Sequence, residues 1–124
     1  MIPFLSLAAG SLAGGFARYY LAGFITRVFG SSFPYGTLVV NLSGCFLIGV
    51  FAAVSEKKFD LGPHGRLLLM VGFCGAFTTF SALILETSSL IREGETIKAF
   101  LNALLSFVAG FMLFRAGFLL GELV

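Results

Sequence analysis

Hydrophobic residues form four long runs along the chain, separated by short polar connections. A transmembrane helix needs about 20 consecutive, predominantly apolar residues. The runs cover residues 2–28, 34–54, 66–91 and 96–120, so each is long enough to cross a bilayer. The pattern predicts an all-α membrane protein of four transmembrane helices, forming a single domain over residues 1–124.

The connections at 30–34, 55–65 and 92–95 are too short to separate consecutive helices, which are therefore predicted to be antiparallel neighbours. Orientation in the membrane normally follows the side richer in Lys and Arg. Here the two sides carry equal numbers, which fits either weak charge signals in a short protein or a dual topology with copies inserted both ways. The charges are Lys57, Lys58 and Arg66 on the side of the termini, and Arg27, Arg92 and Lys98 on the other.

Composition supports a membrane location and excludes several classes of function. The chain is 58% hydrophobic and 11% charged, whereas a soluble domain carries about 25% charged residues. A net charge of only +2 gives no basic patch for nucleic acid. Ser81 has no nearby residue in the sequence that could act as its general base, and His64 stands apart in a polar connection. Cys45 and Cys74 lie in apolar runs, as expected of buried thiols. We therefore predict that the protein is not an enzyme.

Glycine is abundant, with 16 residues, and Gly10 and Gly14 form a GxxxG pattern in the first run. Small residues allow membrane helices to approach closely. The pattern fits either packing within one subunit or association between subunits.

Two groups of polar residues in the first half of the chain are candidates for function, because polar side chains are costly within a membrane. Arg18 lies inside the first run, where it either extends toward the nearby helix end or faces a water-filled vestibule. Thr37 and Asn41 are four residues apart and share a helical face. The Asn41 amide can donate to an anion or serve as a hydrogen bond between helices.

The third run is polar at its middle, where Gly72, Gly75, Thr78, Thr79 and Ser81 interrupt the apolar pattern. The pattern predicts a break in the third helix, with a glycine-rich kink made for packing as the alternative. Non-helical backbone at that depth persists only when it is buried in protein or lines a cavity. Its freed carbonyls could bind a small cation, and its N–H groups and hydroxyls an anion.

Aromatic and polar side chains near this break add further candidates. The electropositive ring edge of Phe80 could contact an anion. Asn102 and Ser106 share a face of the fourth helix. Glu86 and Arg115 have no assigned role, and we expect each to pair with the other or with groups at the interface.

Three motifs resemble those of the Fluc/CrcB fluoride channel family. They read GGFARY at 14–19, GTLVVNLSG at 36–44 and GFCGAFTTFS at 72–81. They occur in the family's order and spacing and span nearly the whole chain.

The resemblance implies an antiparallel, dual-topology dimer with two pores. These pores would passively export fluoride ion across a prokaryotic plasma membrane, which is the cell inner membrane. The dimer would be surrounded by membrane lipid. It also implies a structural Na+ at the dimer centre, bound by the backbone carbonyls of Gly75 and Thr78 from both subunits. The predicted ion pathway comprises Asn41, Phe80, Ser81, Ser106, Thr37 and Asn102, with Arg18 at its mouth.

The sequence departs from the family pattern at Ala82, Leu83 and Asn102, where a threonine, a phenylalanine and a tyrosine are usual. The sequence leaves three explanations open: a homodimer that conducts with altered contacts, a heterodimer whose paralogous partner supplies the missing groups, or an engineered variant. A small multidrug exporter of similar size is a further alternative. It is disfavoured because the first run has no acidic residue.

Overall fold

A computed structural model of the chain describes residues 1–57 and 61–124, and these residues form helices without any strand. This confirms the predicted all-α class. The helices are α1 (Ile2–Phe29), α2 (Tyr35–Ser55), α3 (Gly62–Arg66), a π-helical segment (Leu67–Cys74), α4 (Gly75–Phe77), α5 (Phe80–Arg92) and α6 (Thr96–Leu123).

The helix boundaries follow the sequence closely, with one correction at the start of the third run. That run begins at Gly62 rather than Arg66, because Gly62, Pro63 and His64 form the first turn of a helix instead of part of a polar connection. Proline is well suited to a first helical turn. Gly94 adopts a left-handed φ of 80° in the last turn between helices, which is typical of a glycine just beyond a helix end. Lys58 lies outside the described residues.

Three helical stretches in the described part of the chain are long and apolar enough to cross a membrane: Tyr35–Ser55, Gly62–Arg92 and Thr96–Leu123. We call the second of these the third span. The remaining long helix, α1, has 28 residues and so a length of roughly 42 Å, but Arg18, Tyr19 and Tyr20 make it less apolar.

Glycine allows two pairs of helices to pack backbone against backbone. A Cβ at Gly49 would collide with the Phe114 carbonyl oxygen, and one at Gly117 with that of Phe46, where α2 packs along α6. In the same way α1 packs on the π-helical segment through Gly10 and Gly14. The GxxxG pattern therefore serves packing within one subunit.

The third span is broken at two residues. Thr78 (φ −88°, ψ 158°) and Thr79 (φ −150°, ψ 114°) are both extended, between α4 and α5. β-branched residues suit extended backbone, and the Thr79 hydroxyl caps α5 by accepting the Ala82 N–H at 3.2 Å. The predicted break is confirmed, although it is much shorter than the polar stretch that indicated it.

The glycines of that stretch are helical and have another role. Gly72 belongs to the π-helical segment, where an added Cβ would lie 3.0 Å from the Leu7 carbonyl oxygen. Gly72 is thus needed for the approach of α1 rather than for the break. Gly75 begins α4 and is exposed on the surface of the single chain.

Candidate ion pathway

The side chain of Asn41 binds both backbone polar groups of Thr79. Its Nδ2 donates to the Thr79 carbonyl oxygen at 3.0 Å, and its Oδ1 accepts the Thr79 N–H at 2.8 Å. This pair of bonds brings the middle of α2 against the break. Unpaired backbone groups are costly in a membrane, so the amide stabilises the extended conformation that the break requires.

The break diverts two N–H groups from their helical acceptors. In a continuous helix Gly75 would accept the N–H of residue 79, and Thr78 that of residue 82. Here the Thr79 N–H donates to Asn41, and the Ala82 N–H donates to the Thr79 hydroxyl. The carbonyls of Gly75 and Thr78 are thereby released. Carbonyl oxygens are hard donors that suit a small, hard cation, so the two carbonyls implied by the family resemblance fit a sodium ion chemically.

A mostly apolar cavity of about 450 Å³ adjoins the break on the side of α6. We call it the break groove. It is lined by Asn41, Thr78, Thr79, Phe80, Leu83 and Ser106, together with apolar residues, both cysteines and Thr87. Four predicted site residues, Asn41, Thr78, Phe80 and Ser106, therefore meet here, and so does Leu83, the position at which the family usually has phenylalanine.

The polar atoms of the break groove are few. The Ser106 hydroxyl is buried and lacks a hydrogen-bond partner within the described part of the chain. The Phe80 ring is 74% exposed in the single chain. Asn41 keeps one amide N–H beyond the one that it donates to Thr79, because its NH2 group has two. An anion in this groove would find weak donors and a ring edge.

Asn102 lies behind this groove rather than on its wall. It is only 1% exposed, and its Nδ2 donates to the Thr87 hydroxyl at 3.0 Å. Thr87 in turn donates to the Leu83 carbonyl at 2.7 Å. Asn102 thus joins α6 to α5, and its place in the ion pathway stays a prediction.

A second cavity of about 900 Å³ lies on the side of α1 and contains Arg18. We call it the arginine groove. Its walls include Arg18, Thr37, Ser81 and Glu86. The Thr37 hydroxyl donates to Glu86 Oε1 at 2.7 Å, while Glu86 Oε2 is buried without a hydrogen-bond partner among the described residues. Arg18 is half-buried on the wall of this cavity, as a vestibule residue would be.

Thr79 lines both grooves, so the two meet at the broken backbone. The structure divides the predicted pathway between them, with Asn41, Phe80 and Ser106 in the break groove. Arg18, Thr37 and Ser81 lie in the arginine groove.

Three residues important to this geometry were not assigned a site role by the sequence: Thr79, Glu86 and Thr87. Thr79 stood within the predicted break, but its pairing with Asn41 crosses 38 positions of sequence. Glu86 bonds to Thr37 rather than to Arg115, which is exposed near the end of α6. No local sequence signal distinguishes Thr87 from an ordinary helix hydroxyl.

Comparison with known proteins identifies the family. A family model described as "CrcB-like protein, Camphor Resistance (CrcB)" matches residues 5–118. The chain belongs to the CrcB family. With its long apolar helices, this CrcB protein is a multi-pass protein of the prokaryotic cell membrane.

Curated CrcB relatives cover nearly the whole chain. A protein of Desulforapulum autotrophicum named "Fluoride-specific ion channel FluC" is 45% identical over 98% of this chain and 97% of its own length. Proteins of the same name from Maridesulfovibrio salexigens and Sulfurihydrogenibium are 40% and 36% identical, over 100% of this chain and 98% and 100% of their lengths. The family resemblance of the three sequence motifs is therefore confirmed.

Proposed function

We propose that this chain is a subunit of a fluoride-selective channel that exports F− passively across the prokaryotic plasma membrane. The similar proteins are named as fluoride-specific ion channels. The observation that carries the proposal is the unwound backbone at Thr78 and Thr79, which lies within an apolar span and between two grooves. Such backbone is placed within a membrane only where it serves a buried or cavity-lining role.

The chemistry of the break groove suits a small anion. Asn41 and Ser106 offer uncharged donors, and the Phe80 ring edge offers a weak electropositive contact. Conduction requires that each position bind the ion strongly enough to admit it and weakly enough to release it. Arg18 in the arginine groove attracts anions to the entrance, because its guanidinium group carries a positive charge.

A second copy of the chain is part of this proposal. Phe80 and Phe107, both on the break groove, are 74% and 79% exposed in the single chain, and Gly75 is also exposed. A copy inserted in the opposite orientation would cover this side and complete each pathway. The balanced loop charges permit that orientation. A paralogous partner is the alternative if one chain alone does not conduct.

The proposed structural Na+ lies where the two subunits meet. Gly75 is exposed in the single chain, and a Cβ added there would have only the Met70 carbonyl oxygen nearby, at 4.0 Å. Two copies would each contribute Gly75 and Thr78 carbonyls, giving four oxygen ligands. The ion would supply positive charge that ties the two broken spans together.

Fluoride release from liposomes tests the proposed function. The purified single chain is reconstituted with internal potassium fluoride or potassium chloride, and valinomycin is added so that anion efflux is not limited by charge build-up. We expect rapid fluoride release and chloride retention, because the few, weak donors of the break groove suit a small anion. A fluoride electrode and a chloride electrode measure the two.

Equal release of both anions would contradict selectivity, and release only under a proton gradient would indicate a coupled exporter. A folded chain that releases no fluoride alone, but does so with a co-expressed paralogue, would establish the heterodimer. Protein-free liposomes that contain the same salts and receive valinomycin provide the control.

A further inference from the structure

The two hydrogen bonds of Asn41 have a consequence beyond the break groove. A peptide unit is planar and trans, so its N–H and C=O point in opposite directions. No described peptide in this chain is cis. The Thr79 N–H that donates to Asn41 Oδ1 therefore belongs to the same rigid plane as the Thr78 carbonyl.

We propose that Asn41 is a positioning residue for the cation site, because it orients the Thr78 carbonyl through the shared Thr78–Thr79 peptide plane. With Oδ1 on the N–H side of this plane, the carbonyl is turned away from Asn41. The bond from Nδ2 to the Thr79 carbonyl fixes the next plane in the same way. The inference rests on the proposed sodium site.

Asn41 also acts on the second carbonyl. By accepting the Thr79 N–H, it removes the helical donor that the Gly75 carbonyl would otherwise bind. The Asn41 side chain thus frees the Gly75 carbonyl from its helical hydrogen bond and orients the Thr78 carbonyl. Asn41 therefore couples the break groove, which it lines, to the cation ligands on the backbone of the third span.

The test measures sodium binding through stability. A cation that binds only the folded protein raises its melting temperature with concentration. The purified chain, kept with N-methylglucamine as the only other cation, is titrated with Na+. We expect the melting temperature of the wild type to rise and saturate, and Asn41→Ala to need about tenfold more Na+ for half of the effect, as loss of a buried hydrogen bond predicts.

Ser43→Ala is the matched control. Ser43 lies on the same helix, two residues away, and its hydroxyl donates to the Val39 carbonyl of its own helix at 2.7 Å. We expect its half-saturating Na+ concentration to equal that of the wild type. A general loss of packing in α2 would lower the melting temperature of both variants without changing their response to Na+.

Asn41→Gln provides the second variant if Asn41→Ala does not fold. Its longer side chain keeps the amide but cannot place donor and acceptor on both Thr79 groups without strain, and the Thr78 carbonyl remains an ordinary amide. We expect a half-saturating Na+ concentration between that of the wild type and the roughly tenfold shift of Asn41→Ala. With a ¹³C=¹⁸O label at Thr78, Na+ should shift the carbonyl infrared band in the wild type and less in Asn41→Gln at the same Na+ concentration.

If the half-saturating Na+ concentration were unchanged in both Asn41→Ala and the second variant, the inference would be overturned, even if fluoride flux fell. A wild type whose stability is indifferent to Na+ would overturn it as well. Neither result bears on whether the wild type releases fluoride from liposomes, so failure of this inference and failure of the proposed function are distinguishable.

Discussion

Gly14→Ala should destabilise the protein severely, whereas Gly15→Ala should leave its stability nearly unchanged. A Cβ at Gly14 would collide with the Phe73 carbonyl oxygen, while one at Gly15 would have nothing within 4 Å. Overpacking costs about 1–3 kcal/mol. We expect the upper end of that range because the obstructing atom is backbone and cannot rotate away.

The free energy of unfolding of the two variants, measured in mixed micelles with rising sodium dodecyl sulfate, checks this prediction. The neighbouring positions share the same helix and the same substitution, so helix propensity cancels. Equal losses would show that α1 does not pack on the π-helical segment as described. Because Phe73 lies only five positions before the break, fluoride release should fall in Gly14→Ala as well.

Asn41→Asp should abolish most of the fluoride flux. A carboxylate can still accept the Thr79 N–H, but it cannot donate to the Thr79 carbonyl, which is 3.0 Å from Nδ2 in the wild type. Its negative charge would also repel anions in the break groove. Loss of a bond to a buried group and the added repulsion predict a decrease of at least about tenfold, measured by the fluoride electrode with reconstituted protein.

Asn41→Gln keeps the uncharged amide on a longer side chain. It therefore distinguishes the effect of the added charge in Asn41→Asp from the effect of altered hydrogen-bond geometry. We expect flux between those of the wild type and Asn41→Asp, because donor and acceptor remain but cannot both reach Thr79 without strain. Wild-type flux in Asn41→Asp, at equal reconstitution and with an unchanged elution volume, would remove Asn41 from the pathway.

The sequence predicted the spans and the existence of the break, because both depend on local composition. Long apolar runs need a membrane, and hydroxyl-bearing, β-branched residues within such a run disfavour a continuous helix. It did not predict that only Thr78 and Thr79 would unwind. Gly72 resembles a helix breaker in the sequence, but its lack of a side chain is needed for contact with α1.

The candidate site was less predictable because its key contacts join distant parts of the chain. Asn41 meets Thr79 across 38 positions, and Thr37 meets Glu86 across 49. The sequence identified Asn41 as a polar residue within a span and left open whether it donates to an anion or bonds to another helix. Only the fold shows that its amide binds the broken backbone of the third span.

The π-helical segment at Leu67–Cys74 was not predicted either. π-Helical turns are rare overall, but those that occur are often found at functional sites. No residue pattern in this stretch distinguishes it from an apolar α-helix. Its position immediately before α4 places the extra width of the helix next to the break.

The reversal potential of currents through the purified single chain in a planar bilayer tests its fluoride selectivity directly. With opposed gradients of fluoride and chloride across the bilayer, we expect the current to reverse at the equilibrium potential of fluoride. Reversal at the chloride potential, or midway between the two, would contradict a fluoride-selective pathway through this chain.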